Sequence, residues 1–181
     1  SKMDQIRQTK EKIQQMSIEK SQQFKQGKTH YLWGQEYILS IEEKKAAPSV
    51  RLDEKRIILT VSPETDAHKT KNIMEAWYRN QIREKALPLI NKWEETIKVR
   101  VEKLFIRRMK TRWGTCNVTK QTIRLNTLLA MKPVQCLEYI IVHEMTHILE
   151  PSHNGRFKGL MDTFLPEWKQ SQKMLNQNPL V

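Results

Sequence analysis

Short runs of apolar and β-branched residues, separated by polar breaks, follow residue 30. They lie at 35–41, 49–52 and 56–61, and each has the length and composition of a short strand. Because the three runs follow one another with only short connections, the sequence predicts an N-terminal antiparallel β-meander.

The pattern changes to helical spacing after the third run. From Glu64 to about Glu95 apolar residues recur with a period close to that of an α-helix, which predicts one long helix. Ser62-Pro63-Glu64 has residue types that favour a helix start, and Pro88 predicts a kink or a division within the helix.

The second half of the chain returns to strand-like composition and then becomes helical. Strands are predicted at 99–101, 104–106 and 122–126, and helical spacing follows Pro133, with interruptions at two later prolines. The order of strands, helix, strands and helices predicts an α+β fold.

Residues 1–28 differ from the rest of the chain. Lys and Gln dominate them, and their apolar positions are too few to line a wide helical face. We predict a basic N-terminal arm, either mobile or helical, ahead of a single domain at 29–181.

The composition narrows the class of protein. Of 181 residues, 38% are hydrophobic and 29% are charged. No apolar stretch approaches the roughly 18 residues of a membrane-spanning helix. Two cysteines are too few for a disulfide framework, and the first thirty residues contain no apolar signal region. We therefore expect a soluble, cytoplasmic protein without a membrane partner.

The net charge of +12 is concentrated in one part of the chain. Residues 100–133 carry nine basic residues and one acidic residue, so this segment alone contributes +8. Such a segment can be a solvated face, can attract acidic peptides, or can bind nucleic acid. Only Phe105 and Trp113 interleave with the charges, which argues against stacked single strands and favours a generally basic surface.

The clearest chemical motif is His143-Glu144-Met145-Thr146-His147, an H-E-x-x-H string within an apolar run. Four residues along a helix advance about 400°, so the two imidazoles lie on one face and one turn apart. That spacing allows both to bind one Zn²⁺ ion, with Glu144 beside the open coordination position. Glu144 can there accept a proton from a water whose pKa the metal lowers, and pass it to the leaving amine.

A catalytic zinc ion usually takes a third protein ligand and keeps its fourth position for water. Glu150 lies on the same helical face, but its Cα is about 10 Å along the axis from that of His143. His153 follows Pro151, which ends the helix and lets the chain turn back. We expect His153 to be the third ligand, and Glu150 to support the site or to lie exposed at the helix end.

Other polar side chains carry weaker signals. Arg112 and Trp113 can line a substrate cleft, where Arg112 would bind a carboxylate or an oxyanion. Alternatively, Arg112 forms an ion pair with an acidic residue and Trp113 belongs to the core. Asn126 can bind the substrate backbone or hold a loop. His30 and His68 lie far from the motif and are expected on the surface.

Several short motifs together resemble the YgjP-like metallopeptidase family, which is related to the SprT-like and M48 zincins. The family pattern has an R-W-G-S-C segment, a strand ending in Leu-Asn, and H-E-x-x-H followed six residues later by a third His. The chain matches it with Arg112-Trp113-Gly114-Thr115-Cys116, Ile123-Arg124-Leu125-Asn126, the H-E-x-x-H string and His153. The resemblance covers about 30–175. It departs from the pattern at Thr115, where the family has Ser, and at Ser152-His153-Asn154, where the family has Asn-His-Ser.

The resemblance implies a compact zincin-like domain that hydrolyses peptide bonds, with Zn²⁺ held by His143, His147 and His153 and with Glu144 as general base. We expect a peptide or protein substrate to lie along a strand edge near 100–109. Two alternatives stay open. One is a SprT-like protease that acts on nucleic-acid-bound proteins, and the other is a non-catalytic zinc-binding module.

Overall fold

The computed structural model describes residues 23–177, and these combine two β-sheets with four α-helices. The predicted α+β fold class is confirmed. Most of the predicted N-terminal arm, 1–22, lies outside the described residues. Between residues 23 and 177, no helix is both long enough and apolar enough to cross a bilayer.

Four strands precede the first long helix: β1 (Thr29–Leu32), β2 (Gln35–Glu43), β3 (Ser49–Asp53) and β4 (Arg56–Val61). Helix α1 (Ala67–Ile97) is followed by β5 (Lys103–Arg107), β6 (Gly114–Asn117) and β7 (Thr122–Asn126). A short 3-10 helix (Thr127–Met131) leads into α2 (Val134–Leu149), α3 (Gly155–Phe164) and α4 (Trp168–Gln177).

The chain forms two compact units. The described part of the first consists of 36–77 and the residues up to His30, and that of the second consists of 31–35 and the residues from Tyr78 onward. The division into two units does not test the prediction of a single domain at 29–181, which stays a prediction.

The four-stranded sheet has the order β1-β2-β4-β3, which differs from the predicted antiparallel meander. Strand β4 pairs in parallel with β2 and antiparallel with β3, so it lies between the two strands that precede it. The reason is burial: residues 57–61 of β4 are all buried, whereas β3 is mostly exposed. A strand that is apolar on both faces is stable in the centre of a sheet, and a polar strand is stable at its edge.

The long helix starts and ends at residues that sequence patterns did not single out. Asp66 caps it, since its Oδ1 accepts a hydrogen bond from the Lys69 amide at 2.8 Å. The helix continues through Pro88 as one element. After it, the Val101 amide donates to Glu94 Oε1 at 2.7 Å. That bond ties the segment predicted as a strand at 99–101 to the helix, and β5 begins only at Lys103.

The second unit places its three-stranded sheet against α2. The strand order is β5-β7-β6, with β5 parallel and β6 antiparallel to the central strand β7. Helix α2 packs on β6 and β7, and α3 and α4 pack on α2. The helix that carries the H-E-x-x-H string is therefore enclosed by a sheet and by two further helices.

His30 is buried, which contradicts its predicted surface position. Its ring stacks on Phe24 with centroids 5.1 Å apart, and its Nε2 atom is buried without a hydrogen-bond partner. Burial lowers the pKa of His30 below its ordinary value of 6.5, because the charged imidazolium loses hydration.

The burial of His30 predicts an acid-sensitive contribution to stability. The unfolded chain binds a proton at His30 below about pH 6.5, while the folded chain resists it, so the free energy of unfolding falls as the pH decreases. We expect His30→Phe to reduce the difference in this free energy between pH 7 and pH 5, measured by urea unfolding. Equal pH profiles for the variant and the parent chain would contradict the assignment.

Candidate metal centre

Helix α2 is mostly apolar and buried, and it carries the polar residues of the H-E-x-x-H string. Leu137, Ile141 and Met145 recur every four residues and are fully buried, so this stripe fixes the rotation of the helix about its axis. His143 and His147 lie on another face, where the chain returns after α2 ends at Leu149. The turn that follows the helix brings His153 back to this face.

Three imidazole nitrogens converge at that point. The Nε2 atom of His153 lies 3.0 Å from the Nε2 atom of His143 and 3.0 Å from the Nε2 atom of His147. Among residues 23–177, these three side chains form the group whose geometry could hold a metal ion. The structure thus brings together the three histidines of the sequence hypothesis, and the Glu150 side chain is not part of the group.

Glu150 instead holds the turn between the helix and His153. Its backbone carbonyl accepts a hydrogen bond from His147 Nδ1 at 3.1 Å. Its carboxylate accepts one from the Ser152 amide at 3.1 Å and lies 3.6 Å from the Arg156 guanidinium. A carbonyl can only accept, so His147 carries its proton on Nδ1 and its Nε2 lone pair is available to a metal.

The donor set fits a divalent cation better than it fits a network of hydrogen bonds. His147 Nε2 carries a lone pair, and His153 Nε2 has either one proton or one lone pair to offer to its two neighbours. In every tautomer at least one of the two contacts lacks a properly paired donor and acceptor. A cation between three neutral imidazoles satisfies all three lone pairs, and Zn²⁺ commonly takes such a set.

The surroundings keep two of these imidazoles neutral. Burial lowers the pKa of His143 to about 3, with smaller contributions from His147 and His153. Burial also lowers the pKa of His147, and the Glu150 carbonyl partly opposes that shift. Neutral imidazole is the form that can bind a metal ion, so at neutral pH both side chains are in that form.

Phe157 packs against all three histidines and was not singled out as a functional residue. Its ring centroid lies 4.9 Å from that of His143, 4.6 Å from that of His147 and 4.9 Å from that of His153. Asn154 caps α3 by accepting a hydrogen bond from the Phe157 amide at 3.0 Å. The sequence signal that could have found it is Asn154, because Asn is typical of the residue before a helix and Phe157 follows three residues later.

Glu144 lies beside the histidines in a buried position. Burial raises the pKa of its carboxyl group to about 8, and the positive charge of Arg112 acts in the opposite direction. Gly114 of β6 approaches it so closely that a Cβ atom there would lie 2.8 Å from Glu144 Oε1 and 2.6 Å from Ile140 Cγ2. Glycine at this position therefore allows the strand and the helix to touch.

The three predicted substrate-binding residues have different environments. Arg112 is exposed and close enough to influence Glu144, and Trp113 is half-buried with the Lys132 Nζ atom 5.6 Å from its ring centroid. The predicted role of both residues in substrate binding stays a prediction.

Asn126 is fully buried, which argues against its predicted contact with a substrate. Its Nδ2 atom donates to the carbonyls of Met109 and Arg112 at 2.9 and 2.8 Å, and its Oδ1 atom accepts from the Leu128 amide at 3.1 Å. With its amide groups occupied in this way, Asn126 holds the loop that precedes β6. The loop-holding alternative considered for the sequence matches this geometry.

The three-stranded sheet has two edge strands, β5 and β6. The predicted substrate edge near 100–109 contains β5, and its contact with a substrate stays a prediction. The other edge strand, β6, comes close to Glu144, because Gly114 touches the helix there.

The chain matches a family model and is similar to solved structures. The family model described as the YgjP-like metallopeptidase domain matches residues 1–178. The chain is similar to the metallopeptidase zymogen jannalysin of Methanocaldococcus jannaschii, with 21% identity, a TM-score of 0.44, and coverage of 50% of this chain and 92% of that one. It is also similar to the zymogen abylysin of Pyrococcus abyssi, with 16% identity, a TM-score of 0.44, and coverage of 50% and 88% respectively. No curated protein sequence matches the chain significantly.

The packing of Phe157 predicts that it preorganises the histidines. Phe157→Ala should lower the stability of the metal-free protein by about 3–5 kcal/mol, as for other buried Phe residues, and should also weaken zinc binding. Met161→Ala, one turn further along α3 and also buried, is the matched control. Urea unfolding and competition with a chromophoric chelator measure the two effects. Equal losses of zinc affinity in both variants would show that Phe157 acts only through general stability.

Proposed function

The chain belongs to the YgjP-like metallopeptidase family, and on that premise we propose that it is a zinc-dependent peptidase. The proposed ligands are His143, His147 and His153, and the proposed general base is Glu144. The observation that carries this proposal is the convergence of three imidazole Nε2 atoms, with contacts of 3.0 Å, beside a buried carboxylate on the same helix.

Each of these residues has a distinct task. When bound, a zinc ion supplies Lewis-acid chemistry that activates a water molecule and polarises a carbonyl. Beside a cation held by the three histidines, the pKa of the Glu144 carboxyl would fall from its raised value, so that the carboxylate could accept a proton from water and pass it to the leaving amine nitrogen. The position of Glu144 one residue after His143 favours this role. Its burial keeps bulk water away from the carboxylate, so its interaction with a nearby proton is stronger than at the surface.

The substrate is proposed to bind between the metal centre and β6. The outer edge of β6 offers main-chain groups to an extended peptide, which would add a strand to the sheet. Arg112 is exposed, lies two residues before Gly114 and acts electrostatically on Glu144, and we propose that its guanidinium binds a substrate carboxylate or carbonyl oxygen. Gly114 keeps the edge close to Glu144.

The alternative of a non-catalytic zinc module is less well supported. A structural zinc site has four protein ligands, whereas the cluster found among residues 23–177 has three. A buried carboxylate next to a three-ligand site is typical of a catalytic centre. In the other alternative, a protease that acts on nucleic-acid-bound proteins, the same three histidines and Glu144 would do the chemistry. The difference would be a second surface of the protein that binds nucleic acid.

The choice of third ligand can be tested by comparing two neighbouring residues. His153→Ala removes a nitrogen from the cluster and should weaken zinc binding by more than about 100-fold, beyond what loss of an outer partner typically costs. Glu150→Ala keeps the backbone carbonyl that orients His147, so its zinc affinity should change by less than about tenfold. Chelator competition measures both. The reverse order would show that the third ligand is wrong.

The role of Glu144 is tested by Glu144→Gln. The amide has nearly the same volume but cannot accept the proton, so peptide hydrolysis should fall by about 10²- to 10⁴-fold. One equivalent of zinc should still bind, as measured by atomic absorption. Cleavage of a proteome-derived peptide mixture, followed by mass spectrometry, gives the activity without assuming a specificity. Undiminished cleavage by the zinc-loaded variant would exclude the general-base role.

A further inference from the structure

The solvent-facing side of the three-stranded sheet is a chemically distinct surface. Strand register and alternation place one set of side chains on that side, which we call the outer face: Lys103, Phe105, Arg107, Thr115, Asn117, Thr122 and Arg124. The last position of β7 on this side, Asn126, is covered by the loop before β6 and is not part of the face. The alternate positions, such as Ile106, Ile123 and Leu125, are buried. The sheet therefore separates the packed interior from a polar, basic surface.

The outer face carries positive charge without compensation. Lys103, Arg107 and Arg124 have no ion pair within residues 23–177, and neither do the flanking Arg108 and Lys120. None of the residues that form the face is acidic. A cluster of cations without counter-charges attracts a polyanion.

Phe105 lies in the middle of these charges. It is 46% exposed, although it is a large apolar side chain in a regular strand. Arg124 lies opposite it on β7, and the guanidinium carbon is 5.9 Å from the centroid of the Phe105 ring. From sequence alone the aromatic residues were too few to predict stacking, but the sheet places this ring centrally, between Lys103 and Arg107 on its own strand.

We propose that the outer face binds single-stranded nucleic acid, with Phe105 stacking on a base and with Lys103, Arg107 and Arg124 contacting phosphates. An exposed ring among cations on a sheet offers both parts of such a site, a stacking platform and an electrostatic track. A duplex hides the faces of its bases, and an acidic peptide would make no use of the ring. The surface shares no residue with the metal centre, so it does not depend on the proposed peptidase activity.

The test is fluorescence anisotropy with labelled dT20 and rU20 and the full chain, at several salt concentrations. We expect binding that weakens with salt, with a slope of log K against log salt of about 0.7 per phosphate contact. The triple variant Lys103→Glu, Arg107→Glu, Arg124→Glu should reduce that slope by about 2. Phe105→Leu should weaken binding at least about fivefold, and Phe105→Tyr should retain it, because only an aromatic ring stacks on a base.

A matched variant controls for net charge. The control is the triple variant Lys85→Glu, Lys158→Glu, Lys173→Glu, which changes the net charge by the same amount at exposed positions that are not part of the outer face. It should bind almost as well as the parent chain. Equal losses in the two triple variants, tighter binding of duplex DNA, or equal binding by Phe105→Leu and Phe105→Tyr would overturn the proposal. So would tighter binding of polyglutamate or of vesicles containing phosphatidylserine than of the oligonucleotides.

Discussion

The Nε2 atom of His153 lies 3.0 Å from those of His143 and His147. The rest of the protein must hold the three rings together, because at least one of these contacts has no donor–acceptor pair in the absence of a cation. Two of them are one helical turn apart, which the backbone supplies without cost. The third requires that the chain end its helix, turn, and start a new helix within a few residues. Glu150 and Asn154 stabilise the two sides of this turn, and Phe157 packs beneath the three rings. The metal centre is thus a consequence of how one helix ends and the next begins.

Local patterns were sufficient for the parts of this centre that are close in sequence. The i, i+4 spacing of His143 and His147 follows from helix geometry, and Pro151 limits the helix so that His153 can return. The role of Gly114 could not be predicted in this way, because it depends on β6 lying against Glu144, which follows thirty residues later in the chain. The same is true of Asn126, whose buried position is set by the loop that it closes, since its residue type alone fits either a loop or a ligand.

Sheet pairing was the least predictable feature for a related reason. The hydrophobic pattern correctly indicated β2, β3 and β4, but consecutive strands need not be neighbours. Strand β4 takes the centre because it is buried at five successive positions, and a pairing rule based only on order along the chain ignores that. In the second sheet, the same rule could not show that Phe105 and Arg124 share a face. Their juxtaposition depends on the register of β5 against β7.

The catalytic proposal and the nucleic-acid proposal concern opposite sides of one three-stranded sheet. Its inner side meets α2 at Gly114, and its outer face carries Phe105 and the unpaired cations. Asn126 ends the central strand and fixes the loop that carries Arg112, whose positive charge opposes the rise in the pKa of Glu144. Because this loop connects β5 to β6, the same buried amide positions one end of the outer face and the strand edge beside the metal centre. A small sheet can support both surfaces because its strands present alternate residues to its two sides.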